Sequence, residues 1–263
     1  MMLLSGVGSF LLFTCLDIQI SAENVEELSE DFLTPYTKQH GSHLNHRQIR
    51  ECQPAHYNGI PHEVIPSNTS AVLEPLIKRF IRKVGNRYVK GHYSIVSDPL
   101  RTISILEPKQ VGGCELKIRE TVANSATQRN CLLAINAGFF NTHTGACLGN
   151  LVSDGRKVHD SGGLQNTHFG ITKNGSIFTG YLAEEEIQNG PGDFQQLVTG
   201  VGWILRNGQS FVNFSKYLEC EDTEETGTVE KFVNVISART VVGHDKEGRV
   251  VIVQIDGKTF YDG

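Results

Sequence analysis

Residues Leu132 to Asp154 read LLAINAGFFNTHTGACLGNLVSD. Leu132, Leu133, Ala134 and Ile135 form a buried strand, and Asn136-Ala137-Gly138 breaks it. Two aromatic rings, Phe139 and Phe140, follow on a short turn, and a polar-plus-glycine pair returns at Gly149-Asn150. Glycine lets the backbone approach a ligand closely, Asn offers both a donor and an acceptor, and a Phe face covers the apolar side of a sugar. The stretch therefore reads as the floor of a site for a ring-shaped ligand. Asn136, Gly138, Phe139, Phe140 and Asn150 are its candidates. The competing reading is ordinary core, because a strand that turns into Phe-Phe is common in protein interiors.

Outward from that stretch the chain is strand-rich. Thr102 to Leu106, Cys131 to Ile135, Ser176 to Phe178, Leu197 to Leu205, Phe232 to Ile236 and Arg249 to Ile255 are β-branched or aromatic runs bounded by Gly, Asn and Asp. Gly85-Asn86 reads as a hairpin turn between Ile81–Val84 and Arg87–Val89. Val72 to Phe80 fits a helical period, although a strand can start inside it, and Glu184 to Gln188 fits one helical turn. There is no internal repeat, dinucleotide fingerprint, P-loop or nucleophile elbow. The fold class is α+β, with a mixed, mainly antiparallel sheet and flanking helices.

A second chemical block spans Val233 to Gly257, VNVISARTVVGHDKEGRVVIVQIDG. Arg239-Thr240 sits between two apolar strands and Asp256-Gly257 closes the second. A guanidinium at the edge of a buried strand needs a permanent anion, a carboxylate or a phosphate, because burying it unpaired is costly. The plain alternative is an Arg–Asp pair that braces the sheet.

The N-terminal part reads as processed sequence. Met1 to about Leu16 is apolar and Ile20-Ser21-Ala22 offers a small-residue exit, so residues 1–22 fit a secretory signal peptide too short to span a bilayer. Residues 23–50 begin acidic, turn rich in His, Gln and Asn, and end in Arg47-Gln48-Ile49-Arg50, an R-x-x-R site for a secretory convertase. They are expected to be a propeptide, leaving 51–263 as one domain with a sizeable core. That history places the chain in the secretory pathway, in the Golgi lumen or secreted, and makes Asn68, Asn174 and Asn213 credible N-glycosylation acceptors.

The chain of 263 residues carries a net charge of −5, which argues against nucleic acid and against an anionic membrane as partners. No later apolar run approaches a membrane span. Once Cys15 leaves with the leader, Cys52, Cys114, Cys131, Cys147 and Cys220 remain. An odd count in an oxidising compartment means an absent partner or a bond to another chain, which keeps a homo-oligomer among the partners. Neither CxxC nor HExxH spacing occurs, so no metal and no cofactor are expected.

Taken together, NAGFF (Asn136–Phe140), CLGNLVSDGRKV (Cys147–Val158), SGGLQN (Ser161–Asn166), GYLAEEE (Gly180–Glu186) and KFVNVISARTVVGHD (Lys231–Asp245) closely resemble the phosphodiester glycosidase domain family. DPLRT (Asp98–Thr102) and SILEP (Ser104–Pro108) extend the resemblance. It implies hydrolysis of a covering GlcNAc from GlcNAc-α-phospho-6-mannose on the phosphorylated high-mannose glycans of lysosomal hydrolases, exposing mannose 6-phosphate. The bond joins an anomeric carbon to a phosphate oxygen, so the leaving group needs little protonation and the usual carboxylate pair can be relaxed. The residues suit that chemistry. Arg239 is the candidate for holding the phosphodiester, with Asp256 and Asn136 as further catalytic candidates and Thr240 beside them as a binding residue. Asn136 and Asn150 would read hydroxyl or acetamido groups, and Phe139 or Phe140 would stack on the sugar. With the cysteine count, the resemblance also suggests Cys52–Cys220 and Cys114–Cys147 as disulfides and leaves Cys131 alone. In the family the domain continues beyond Asp256-Gly257 into a helix and a further strand that contributes to the site. This implies a domain incomplete at its C-terminus. The second reading is a catalytically inactive shortened product, at most a lumenal glycan-binding protein.

Overall fold

The computed structural model of the chain describes residues 2–4, 13–17, 62–69, 75–138, 140–141, 144–161, 167–182, 194–218, 229–234 and 237–256. Strands dominate. In chain order they are β1 Met2–Leu4, β2 Phe13–Asp17, β3 His62–Ile65, β4 Leu76–Val84, β5 Arg87–Val96, β6 Ile103–Leu106, β7 Cys131–Asn136, β8 Leu151–Ser153 and β9 Arg156–His159. They continue with β10 His168–Thr172, β11 Ile177–Gly180, β12 Phe194–Thr199, β13 Gly202–Trp203, β14 Leu205–Arg206, β15 Gln209–Ser210, β16 Arg239–His244 and β17 Val250–Ile255. Four short helices accompany them: α1 Pro99–Thr102, α2 Val122–Ala126, α3 Val212–Leu218 and α4 Val229–Asn234.

Two six-stranded sheets carry the fold, in the orders β13-β1-β16-β17-β5-β4 and β3-β11-β10-β12-β8-β9, with a three-stranded sheet β6-β2-β7 beside them. Every ladder among the described residues is antiparallel. The main core is shared by all three sheets. Val96, Val242, Val250 and Ile252 come from the first, Phe169, Ile171, Ile177 and Val198 from the second, and Ile103, Ile105, Leu133 and Ile135 from the third. Each is at most 7% exposed, so this cluster is where apolar burial stabilises the domain. Residues 2–4 and 13–17, within the segment read as a leader, pair as strands: β1 between β13 and β16, β2 between β6 and β7.

The local readings fare unevenly. The Gly85-Asn86 turn joins β4 to β5 with Gly85 at φ 59°, a conformation that suits glycine. The helical period from Val72 is overridden, since Leu76–Val84 is a strand paired along its whole length with β5. Leu197–Leu205 is not one strand but two, separated around Gly200. Phe232–Ile236 was expected as a strand, yet Val229–Asn234 is helical. There Asn234 donates to Glu230 one helical turn earlier, and Lys216 pairs with the same carboxylate. Packing of Val233 against Val201 and Val241 holds that turn in place, outweighing the weak β preference of the run. The Glu184–Gln188 turn lies outside the described residues.

Cys114 and Cys147 are joined by a disulfide with their Cα atoms 5.3 Å apart. Cys131 is disulfide-bonded too, which corrects the expectation that it stands alone. That expectation rested on an odd thiol count; the whole chain has six cysteines, an even number that can pair completely. The Cys52–Cys220 pairing falls outside the described residues.

Candidate active site

The two blocks singled out in the sequence meet in space. Asn136 closes β7, Thr240 is the second residue of β16, and Thr240 donates its hydroxyl to Asn136 Oδ1 at 2.9 Å. Thr240 is 2% exposed, so this bond is made away from bulk water, where an unpaired amide oxygen would be costly. Behind Asn136 the chain turns inward: Ala137 is fully buried and Gly138 is buried.

Arg239 begins β16, half-buried, and its Nη1 donates to the Ala238 carbonyl at 3.0 Å. Asp256 follows β17, half-buried, with its backbone N–H donating to the Lys90 carbonyl at 3.0 Å. The ladder pairs Arg239 with Ile255 and Thr240 with Gln254. Side chains alternate along a strand, so continuing this register puts Asp256 on the Thr240 side and Arg239 on the other. That offset explains why Arg239 and Asp256 form no ion pair among the described residues, and the Arg–Asp brace between them is absent there. The guanidinium instead stands at the strand's first residue, on the rim beside the Asn136–Thr240 pair.

Asn150 is placed differently from expectation. It is 1% exposed, and its Oδ1 accepts from both the backbone N–H and the hydroxyl of Ser161, at 2.9 and 2.8 Å. Its Nδ2 donates to His168 Nε2 at 3.0 Å, and its own carbonyl accepts from Thr199 Oγ1 at 3.0 Å. An amide so engaged ties loops together rather than reading a ligand. The preceding residue must be glycine. Gly149 has φ 76°, and a Cβ there would come within 2.6 Å of Thr199 Cβ. His159 Nδ1 caps the Gly149 carbonyl at 2.6 Å.

His168, Ser161 and Thr199 are the members of this network that sequence reading missed. They lie in separate strands and loops, and no spacing signals their convergence. His168 is fully buried and its pKa is pushed down to about 3, chiefly by loss of hydration, with the Gly180 backbone across the ladder offsetting only part of that. The ring is neutral, accepts at Nε2 and carries its proton on Nδ1, which makes no well-formed hydrogen bond.

Phe140 is 7% exposed and bridges by its backbone to Cys147, so the Cys114–Cys147 disulfide anchors the far end of the turn. Phe139 lies outside the described residues. Of the three glycosylation acceptors, Asn174 and Asn213 are exposed and Asn68 is half-buried. No group of three or more His, Cys, Asp or Glu side chains suited to a metal occurs among the described residues. No described helix is long and apolar enough to cross a membrane.

Comparison with known proteins extends this picture. Residues 129–263 match the family model described as phosphodiester glycosidase, which takes in Asn136, Asn150, Arg239, Thr240 and Asp256. A protein from Bos taurus named N-acetylglucosamine-1-phosphodiester alpha-N-acetylglucosaminidase is 42% identical over 264 residues, covering 97% of this chain and 49% of that protein. The Mus musculus protein of the same name is 45% identical over 234 residues, covering 88% of this chain and 44% of its own length. The chain thus spans about half the length of the curated relatives it matches. Among solved structures, the zebrafish catalytic domain of that name, described as auto-inhibited by its pro-peptide, superposes with a TM-score of 0.72 at 41% identity. The match covers 80% of this chain and 75% of that one. With more than half its residues inside the family model and a near relative along almost its whole length, the chain belongs to the phosphodiester glycosidase family.

Proposed function

We propose that this chain is the glycosidase part of a lumenal enzyme that removes a covering GlcNAc from GlcNAc-α-phospho-6-mannose on lysosomal hydrolases, exposing mannose 6-phosphate. The observation that carries the reading is the junction of Asn136 and Thr240, 104 residues apart in sequence, beside Arg239 at the strand rim. Arg239 binds the phosphodiester anion through its planar fork, and developing charge on the departing phosphate strengthens that contact. Asn136, fixed by Thr240, presents its amide to the sugar, and Asp256 faces the same side of the ladder. Gly138 leaves room for close approach, while Phe139 and Phe140 are the apolar candidates for the ring. Asn150 serves by holding the loops that frame the floor.

Because the departing oxygen belongs to a phosphate, bond cleavage needs little proton donation, and the burden falls on anion binding and on steadying an oxocarbenium-like sugar. The relatives' name and the zebrafish pro-peptide support this reading, as does a polar segment at 23–50 ending in R-x-x-R. In it a secretory convertase cleaves after Arg50, in the Golgi lumen or on the way to secretion.

The test is release of free GlcNAc from GlcNAc-α-phosphomannose by the purified chain, compared with Arg239→Ala at equal folded concentration. Loss of turnover in a normally folded variant is expected. Retention of near wild-type turnover removes Arg239 from the site. A chain that binds the diester without cleaving it supports the second reading, a glycan-binding protein, which the coverage of only 75% of the solved catalytic domain keeps in view.

A further inference from the structure

The net charge of −5 conceals a strong local segregation. Between Glu74 and Asp98 there is no acidic residue, while Lys78, Arg79, Arg82, Lys83, Arg87 and Lys90 fall within β4 and β5. The third strand of that sheet, β17, pairs with β5 only from Gly91 to Val96. Residues 81–90 therefore project as a two-stranded ribbon with no strand on either side of it. A ribbon of this kind is marginal in water without something to pack against.

Its composition is unusual for a solvated edge. Ile81, Val84 and Tyr88 are 64%, 62% and 65% exposed, among the most exposed large apolar residues described. The four outer cross-strand pairs are Ile81 with Lys90, Arg82 with Val89, Lys83 with Tyr88 and Val84 with Arg87. Each couples one apolar with one basic residue, and successive pairs face opposite sides. Both faces of the tip thus present the same mixture. Lys78, Arg82, Lys83, Arg87 and Lys90 form no ion pair among the described residues.

Charges alone would be accounted for by protection of an edge strand against pairing with another chain. That device has no use for Ile81, Val84 and Tyr88 held in water. A protein partner would cover one face and leave the other exposed. A medium that surrounds the tip satisfies both faces, with cations at the level of anionic headgroups and apolar side chains just beneath.

We propose that residues 81–90 are a membrane-docking hairpin, which sets Ile81, Val84 and Tyr88 into the interfacial layer of a bilayer and Arg82, Lys83, Arg87 and Lys90 against anionic lipid headgroups. The acidic remainder of the chain is repelled by the same surface, so the ribbon also fixes the orientation in which the domain docks. This inference does not depend on the glycosidase reading.

The experiment is co-sedimentation of the purified chain with vesicles of phosphatidylcholine alone or mixed with phosphatidylserine. Partition into the anionic vesicles is expected to exceed that into neutral ones by about tenfold or more, and Arg82→Glu with Lys83→Glu to abolish the difference. Ile81→Ser with Val84→Ser is expected to leave a residual binding that moderate salt removes, whereas wild-type binding partly survives salt. Circular dichroism melts that match wild type show that both variants remain folded. Failure of the wild-type chain to sediment with anionic vesicles overturns the proposal, as does equal binding by the charge-reversed variant. If only the charge reversal matters and the serine variant behaves as wild type, insertion is wrong and the ribbon is a surface for an acidic protein or a phosphorylated glycan.

Discussion

The hydroxyl of Thr240 donates to the side-chain oxygen of Asn136 at 2.9 Å, joining the end of β7 to the start of β16 across 104 residues. One hydrogen bond thus connects the two segments on which the proposed chemistry depends. Thr240→Val keeps the shape of the side chain but removes the donor. A loss of about 1 to 2 kcal/mol in urea-unfolding free energy is expected, together with a fall in turnover larger than the stability loss explains. Asn136→Ala should reduce turnover further with less effect on folding, since it removes the recognising amide along with its anchor. Equal activity of Thr240→Val and wild type at matched folded concentration would show that Asn136 needs no positioning.

His168 makes stability depend on acid. Its folded pKa lies near 3 against an ordinary value near 6.5, so the folded state prefers the neutral ring. Below about pH 6.5 the unfolded chain takes up a proton that the folded chain refuses, and stability declines with falling pH until about pH 3. Across the mildly acidic part of that range the slope from this one residue approaches about 1.4 kcal/mol per pH unit. His168→Gln, whose amide oxygen can still accept from Asn150, should flatten that limb in urea melts between about pH 6.5 and 4.5. Identical slopes for the two proteins would mean that the ring titrates normally.

At Gly149 backbone and space act together, with φ 76° and Thr199 Cβ 2.6 Å from the position of a Cβ. Gly149→Ala should cost about 2 kcal/mol or more and lower the yield of secreted protein. Adding Thr199→Gly should recover the steric part but not the conformational part. A melting temperature for Gly149→Ala within error of wild type would refute the constraint.

The acceptor Asn213 lies on α3 with its asparagine exposed, but Ser215 of the same sequon is 4% exposed. Its Oγ accepts from the Trp203 backbone N–H at 2.8 Å and lies 2.9 Å from the Tyr181 hydroxyl. Glycan attachment at Asn213 therefore has to precede closure of this helix onto the sheet. Ser215→Ala and Asn213→Gln both abolish that sequon, yet only Ser215→Ala strands buried polar groups. It should lower the unfolding free energy by about 2 kcal/mol, against a few tenths for Asn213→Gln. Equal losses, measured by calorimetry on deglycosylated protein, would show that the buried hydroxyl contributes nothing.

Much of this was legible in local chemistry. The apolar run at Leu132–Ile135, the Gly85-Asn86 turn and the β-branched run ending at Ile255 are strands or turns for reasons contained within a few residues. Where a segment's own preference is weak, its neighbours decide. Leu76–Val84 is drawn into a strand by full-length pairing with β5, and Val229–Asn234 becomes a helix because Val233 packs inward while Glu230 finds Asn234 and Lys216.

The sequence by itself determined the strand-rich class, the family, and the pairing of an Asn-Ala-Gly strand end with an Arg-Thr strand start as the chemical blocks. Those follow from residue type and near spacing, which a linear chain displays. Only the tertiary structure decided that Asn136 meets Thr240, and that Asn150 is sealed inside with Ser161, Thr199 and His168 rather than facing a ligand. It alone places Arg239 and Asp256 on opposite sides of one ladder. These are matters of register and burial. A shift of one residue sends a side chain to the other face, and desolvation depends on which segments, far apart in sequence, close over it.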